Sequence, residues 1–241
     1  MIKVFKTDKG IEVAAVTTEQ MIEIDRIAIE ETGPKLFQMM ENAGRNLAEL
    51  TIETLGKNWK KQNIVVLAGT GGNGGGGICA ARHLANHGAN VKVCVTEPVK
   101  LKEVAAYQFH ILKSTNANII SIEELKKENP DLIIDAIIGY SLIGEPKGKS
   151  LELIKWATQQ LGIKISLDIP SGVNSTTGEA AIQHIKPDIT MTLALPKTGL
   201  LPSVTGELFL ADIGIPKNVY EKLGLNYQLP FNEKYYVKLF G

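Results

Sequence analysis

The run "VVLAGTGGNGGGGICAARHL", residues 65–84, constrains the fold more than any other stretch: an apolar strand pattern enters six glycines among the seven residues Gly71–Gly77 and leaves as a helical pattern. Ordering a glycine costs more backbone entropy than ordering any other residue, so such a run persists only where tight geometry or a ligand requires it. Gly69, Gly71 and Gly74 satisfy GxGxxG between a strand and a helix, and Glu97 closes the next strand roughly 20 residues on, where a ribose-binding acid stands in dinucleotide folds. A helix N-terminus offers free N–H groups and partial positive charge, so the run reads either as an anion cradle or as a ligand-free turn.

The rest of the chain alternates strand and helix patterns. Thr17-Thr18-Glu19-Gln20 opens a helix with capping residues, "EQMIEIDRIAIEE" keeps helical apolar spacing, and Gly33-Pro34 stops it; "KLFQMMENAGRNLAELTIETL" is a second helix. From "NIVVLAG" onward, "NVKVCV", "ANIIS", "DLIIDAI", "KISLDI", "DITMTLAL" and "GELFLADIG" read as strands, most separated by helical segments. That order predicts a three-layer α/β/α, Rossmann-like, mostly parallel sheet in a single domain over 1–241, with a helical extension at about 17–56, a core at about 62–217 and a C-terminal tail at 218–241. No repeat at a period of about 20 to 50 residues is present, which sets solenoids and propellers aside.

Ligands of open α/β sheets bind beyond the carboxyl ends of the strands, which directs attention to the glycine run, Asp135, Asp168 and the Pro196-Lys197 turn. Each aspartate follows apolar strand residues, so it is either a structural group paired in a turn or part of a shared site. Two of them beside glycine or Pro-Ser-Gly turns favour the site. Asn73, Asp135 and Ser171 with backbone carbonyls make an all-oxygen donor set of the kind hard cations take, and turn chemistry explains Asn73 and Ser171 nearly as well. Lys197 is either a solvated lysine or a group that reaches a ligand phosphate or biases Asp168 toward its charged form. His83, inside the helix after the glycines, reads as structural.

Charge and apolar content exclude several classes. The 26 basic and 26 acidic residues cancel, so no bulk positive field holds nucleic acid. Cys79 and Cys94 have no metal or disulfide spacing, no apolar signal core opens the chain, and no apolar run reaches the roughly 18 residues of a membrane span. These facts point to the cytoplasm, with no membrane partner.

Several motifs in order resemble the NAD(P)H-hydrate epimerase family, also called the YjeF N-terminal domain family: "EQMIEIDRIAIEETG", "MMENAGR", the glycine run with its Ala-Ala-Arg-His-Leu helix, "DAIIGYSLIGEPKG", "SLDIPSGVNSTTGE", "LALPKTGL" and "GELFLADIGIP". The likeness covers roughly residues 17 to 217. The family loop usually reads Asn-Asn-Gly-Gly-Asp-Gly; here it is Gly72-Asn73-Gly74-Gly75-Gly76-Gly77, so the first Asn and the Asp are both glycine.

The resemblance implies an isomerase of nucleotide-metabolite repair that interconverts the R and S forms of hydrated NADH or NADPH at C6 of the nicotinamide ring. By that likeness Asp168 is the catalytic acid and base, Gly72, Asn73, Gly74, Gly75, Gly76 and Gly77 hold the diphosphate, and Gly139, Tyr140, Ser141, Leu142, Ile143, Gly144 and Glu145 form the opposite wall. Lys197 completes the substrate site, and potassium sits on Asn73, Asp135 and Ser171. A separate dehydratase would take the S form, and the N-terminal helices would serve a homodimer, as in relatives, or cap the sheet. The alternatives are a catalytically impaired nucleotide-binding or interaction domain of the same fold, favoured by Gly76, and an NAD-dependent oxidoreductase, which rests on GxGxxG and Glu97 alone.

Overall fold

The structure is a computed structural model that describes residues 3–241. Its elements are β1 (Val4–Thr7), β2 (Glu12–Ala14), α1 (Thr18–Ile27), α2 (Leu36–Leu55), β3 (Asn63–Ala68), α3 (Gly72–Asn86), β4 (Asn90–Val95), α4 (Glu103–Leu112), β5 (Asn118–Ile119), α5 (Ile122–Leu125), β6 (Leu132–Ala136), α6 (Gly148–Thr158), β7 (Ile163–Leu167), β8 (Ile189–Leu193), α7 (Pro202–Thr205), β9 (Glu207–Ala211), α8 (Lys217–Lys222) and β10 (Tyr236–Phe240). One sheet runs β2-β1-β10-β9-β8-β7-β6-β3-β4-β5. Every pair from β9 to β5 is parallel, and β10, β1 and β2 close one edge antiparallel.

Strand alternation builds the layers. Ile64, Val66 and Ala68 of β3 face a core shared with α2, α3 and α4, whereas Val65 and Leu67 face α5 and α6. A third core joins α1 to β1, β2, α8 and the far end of the sheet. Order β6-β3-β4 means that the chain winds outward from β3 to β5 and then returns to the other side of β3. That reversal opens a crevice above β3 and β6, where ligands of such sheets bind.

Caps follow the sequence. Thr17 and Gln20 form a capping box at α1, and Gly33, at φ +113°, ends the five-residue π-helical segment that follows α1. α2 and α3 are tied by Glu41, which takes hydrogen bonds from Arg82 and, at 2.8 Å, from the half-buried His83 ring. His83 thus joins Arg82 in binding Glu41 across the α2–α3 contact.

Two expectations change. The segment read as a C-terminal tail contains β10, inserted between β9 and β1, and the N-terminal strands β1 and β2 lie outside the sequence reading. The glycine run is not a loop either: α3 begins at Gly72, and the Gly75 N–H already donates to the Gly71 carbonyl at 3.0 Å. Added Cβ atoms would lie 2.0 Å from the Gly69 carbonyl oxygen at Gly74, 2.6 Å from Met40 Sδ at Gly75 and 2.4 Å from Ala136 Cβ at Gly77. The glycines press the first turns of α3 against β3, β6 and α2. At Gly72 nothing lies within 4 Å of that position.

Gly74→Ala is therefore expected to lose on the order of 1–3 kcal/mol, since its methyl meets backbone that cannot move aside. Gly72→Ala should stay within about 1 kcal/mol of the parent. Urea denaturation of both variants checks the contrast; equal midpoints would refute it.

Candidate active site

Above the carboxyl ends of β3, β4, β6, β7 and β8 lies a cavity of about 670 Å³, within the size range of small-molecule sites. α1 and α2 cover it with Met21, Asp25, Met39 and Met40, and Lys147 to Ser150 at the start of α6 line it as well.

Two unusual turns shape the floor. The Ile169 N–H donates to the Leu167 carbonyl at 2.9 Å across Asp168, and the Leu195 N–H donates to the Leu193 carbonyl at 2.7 Å across Ala194. Asp168 has φ +64° and Ala194 φ +62°. Such three-residue turns with positive φ are rare and strained, at a cost on the order of 1–3 kcal/mol each. The sequence signal is the parallel between Leu167-Asp168-Ile169-Pro170 and Leu193-Ala194-Leu195-Pro196, each ending a strand in the same way.

The turns bring Asp168 and Lys197 together. Lys197, 1% exposed, forms an ion pair with Asp168 Oδ1 and donates to the Leu193 carbonyl at 2.9 Å. The Leu193 N–H reaches the same Oδ1 at 3.2 Å and the Thr192 hydroxyl at 3.3 Å. The hydrogen bonds to Asp168 all end on Oδ1, so among the described residues Oδ2 accepts none, and Asp168 lines the cavity. Val16 holds the lysine turn by its backbone, accepting from Thr198 N–H and donating to the Pro196 carbonyl, both at 2.9 Å. Of the readings open for Lys197, solvation and an outstretched phosphate contact give way to a buried partner of Asp168.

Asp135 lies inside β6 and is fully buried. Its oxygens accept from Ser166 Oγ at 2.7 Å, Ser171 N at 2.9 Å, Ser171 Oγ at 2.5 Å and Ile137 N at 3.3 Å. Burial pushes this carboxyl up, against the hydrogen bonds from Ser171, Ser166 and Ile137. Ser171 Oγ also accepts from Ile138 N at 2.9 Å. Asn73 packs on Gly139, whose added Cβ would sit 3.2 Å from Asn73 Cβ. The Oδ1 and Nδ2 atoms of Asn73 are enclosed and have no hydrogen-bond partner among the described residues. An enclosed amide oxygen without a donor, at the Ile138-Gly139 turn that Ser171 and Asp135 also hold, is a donor set that fits a hard cation.

The expected substrate residues divide. Gly72, Asn73 and Gly76 line the cavity, as do Gly139, Tyr140, Ser141, Asp168 and Lys197. Gly74, Gly75 and Gly77 are buried packing positions, and the N–H groups from Gly75 onward are engaged within α3, so the free amides are those of Gly72, Asn73 and Gly74. Leu142, Ile143, Gly144 and Glu145 stand outside the lining, with Ile143 94% exposed; Lys147 to Ser150 take that side of the cavity instead. Gly76 faces Leu167, whose Cδ2 lies 2.7 Å from an added Cβ.

Sequence reading missed Asp25. It stands on the buried stripe of α1 with Met21, Ile24 and Ala28, and a carboxylate at that helical spacing is the signal that marks it. Tyr140 Oη donates to Asp25 Oδ2 at 2.7 Å. Burial raises the Asp25 carboxyl; the Tyr140 hydrogen bond and the Lys197 charge oppose this, and the Asp168 charge adds to it. Burial, then the Asp25 charge, raises the Tyr140 phenol.

The family described as YjeF-related protein N-terminus matches residues 36–199. An NAD(P)H-hydrate epimerase of Dehalogenimonas lykanthroporepellens is 48% identical over 236 residues, covering 98% of this chain and 96% of its own. A bifunctional NAD(P)H-hydrate repair enzyme of Hyperthermus butylicus is 38% identical over 212 residues, which span 84% of this chain but 38% of that longer protein. The crystal structure of yeast ynu0 superposes with a TM-score of 0.79 at 26% identity, covering 93% of this chain and 99% of that one. No helix among the described residues is long and apolar enough to cross a membrane.

Replacing Lys197 by Met keeps the volume and strands a buried carboxylate, which is expected to lower stability by about 3–5 kcal/mol. The loss should shrink when Asp168→Asn is added. A double-mutant cycle by denaturant unfolding measures it, and additive losses would show that the pair is not coupled.

Proposed function

The chain belongs to the family of YjeF-related protein N-termini, and on that premise we propose that it is an NAD(P)H-hydrate epimerase, interconverting the R and S forms of hydrated NADH and NADPH at C6 of the nicotinamide ring. The observation that carries this reading is Asp168, which lines the cavity and is held by a strained turn and an ion pair on Oδ1, with Oδ2 free of hydrogen bonds among the described residues.

The chemistry is that of a carbon bearing both nitrogen and oxygen. The ring nitrogen's lone pair helps break the C–O bond, and water returns on the other face. Asp168 Oδ2 is the group that takes the proton of the returning water, and gives it back in the reverse direction. Lys197, Leu193 and Thr192 fix the carboxylate through its other oxygen, so Oδ2 meets the ring without reorganising. The diphosphate is placed on the free amides of Gly72, Asn73 and Gly74, where the start of α3 presents N–H groups and positive potential. Tyr140 and Ser141 stand across the cavity.

Potassium is assigned to Asn73, Asp135 and Ser171, supported by the unpaired amide oxygen of Asn73. When bound it would supply positive charge near the diphosphate and order the turns around Ile138. The S form would pass to a dehydratase.

The test follows R-to-S conversion of hydrated NADH, coupled to a dehydratase that accepts only the S form. Asp168→Asn is expected to slow conversion by about 10²- to 10⁴-fold with folding intact; a full rate in that variant removes the assignment. Exchange of potassium for tetramethylammonium should lower both the rate and the melting temperature. Neither is expected to change if Asn73, Asp135 and Ser171 hold no cation.

A further inference from the structure

The reaction needs a proton for the departing hydroxyl, and the resting Asp168 is tied up as the anion of an ion pair with Lys197. We propose that Asp25 is the second catalytic carboxyl of this cavity, the one that carries the proton given to the leaving hydroxyl. The assignment rests on the epimerase reading above.

Asp25 lines the same cavity as Asp168 yet has the opposite surroundings. Asp168 faces an ammonium, whereas among the described residues Asp25 has no lysine or arginine within salt-bridge distance, and its one hydrogen bond comes from a phenol at 2.7 Å. That bond ends on Oδ2, so Oδ1 remains for a substrate hydroxyl. Titratable groups facing Asp25 are Tyr140 from the wall after β6, Lys197 after β8, Asp168 after β7 and Tyr220 of α8. Burial outweighs the rest and raises the carboxyl, as in sites where two carboxyls divide acid and base roles by environment.

Tyr140 fixes the group in place. Its ring lies 5.9 Å from Lys197 Nζ, its carbonyl accepts from Ser175 Oγ at 3.0 Å, and its hydroxyl binds Asp25. Asp25, Tyr140, Lys197 and Asp168 thus form one line of contacts along the cavity.

The step balances between the two carboxyls. The Asp25 O–H bond breaks and its proton goes to the C6 hydroxyl oxygen; the C6–O bond breaks with its electron pair leaving on water, while the ring nitrogen's lone pair forms a C=N bond to C6. Water then adds to the other face, the C=N pair returns to nitrogen, and the water's extra proton passes to Asp168. Proton exchange with solvent restores Asp25 and Asp168 to their starting forms.

Asp25→Asn is expected to lower kcat for hydrated NADH by about 10²- to 10⁴-fold with KM little changed. The wild-type rate should fall as pH rises through the raised range of the Asp25 carboxyl, because only its protonated form donates, and Asp25→Asn should lack that fall. Asp25→Glu should recover part of kcat together with the pH dependence. Tyr140→Phe removes the hydrogen bond that opposes protonation, so its fall in rate should move to higher pH, a reading that stands even if Asp25→Asn does not fold. Folded Asp25→Asn with wild-type kcat and pH profile overturns the donor role and leaves the epimerase reading intact. Wild-type protein that leaves hydrated NADH unepimerised overturns the epimerase reading, and the donor role with it.

Discussion

A lysine ammonium sealed against an aspartate carboxylate organises this site. Lys197 is 1% and Asp168 4% exposed, so neither charge has water to rely on, and each holds the other in place. The pair also explains why strained backbone persists at Asp168 and Ala194: the ion pair, the Leu193 amide and the Val16 clamp together over-determine both turns. Strain and buried charge fall at the same point of the fold, and that point is where the cavity floor meets the ends of β7 and β8.

Around this centre, close packing supplies the shape. α3 approaches β3, β6 and α2 at distances that only glycine permits, which sets its first free amides at the crevice above the reversal between β3 and β6. The same closeness puts Asn73 against Gly139 and beside the Ile138 turn, so the free amides at the start of α3 and the unpaired amide oxygen of Asn73 come from neighbouring turns.

α1 and α2 complete the chamber from outside the sheet. They close it with apolar side chains and a single carboxyl, and the apolar cover raises that carboxyl while Lys197 and Asp168 lie near enough to bias it. The site is a joint product of the sheet and the extension, and neither part encloses it alone.

Sequence by itself determined the α/β layering, the parallel order implied by alternating elements, the capping box at Thr17, and the strand-end positions of Asp168 and Lys197, because period, caps and turn residues are local signals. Motif order determined the family. Tertiary structure decided the rest. β10 becomes a strand by pairing with β9 and with β1 from the far end of the chain, partners that no local pattern names. How the glycines from Gly74 to Gly77 pack depends on Gly69, Met40, Leu167 and Ala136, which approach only in the folded sheet. Lys197 became a buried partner rather than a solvated one, and Asp25 entered the site, because charge environment is a property of neighbours in space that no local pattern encodes.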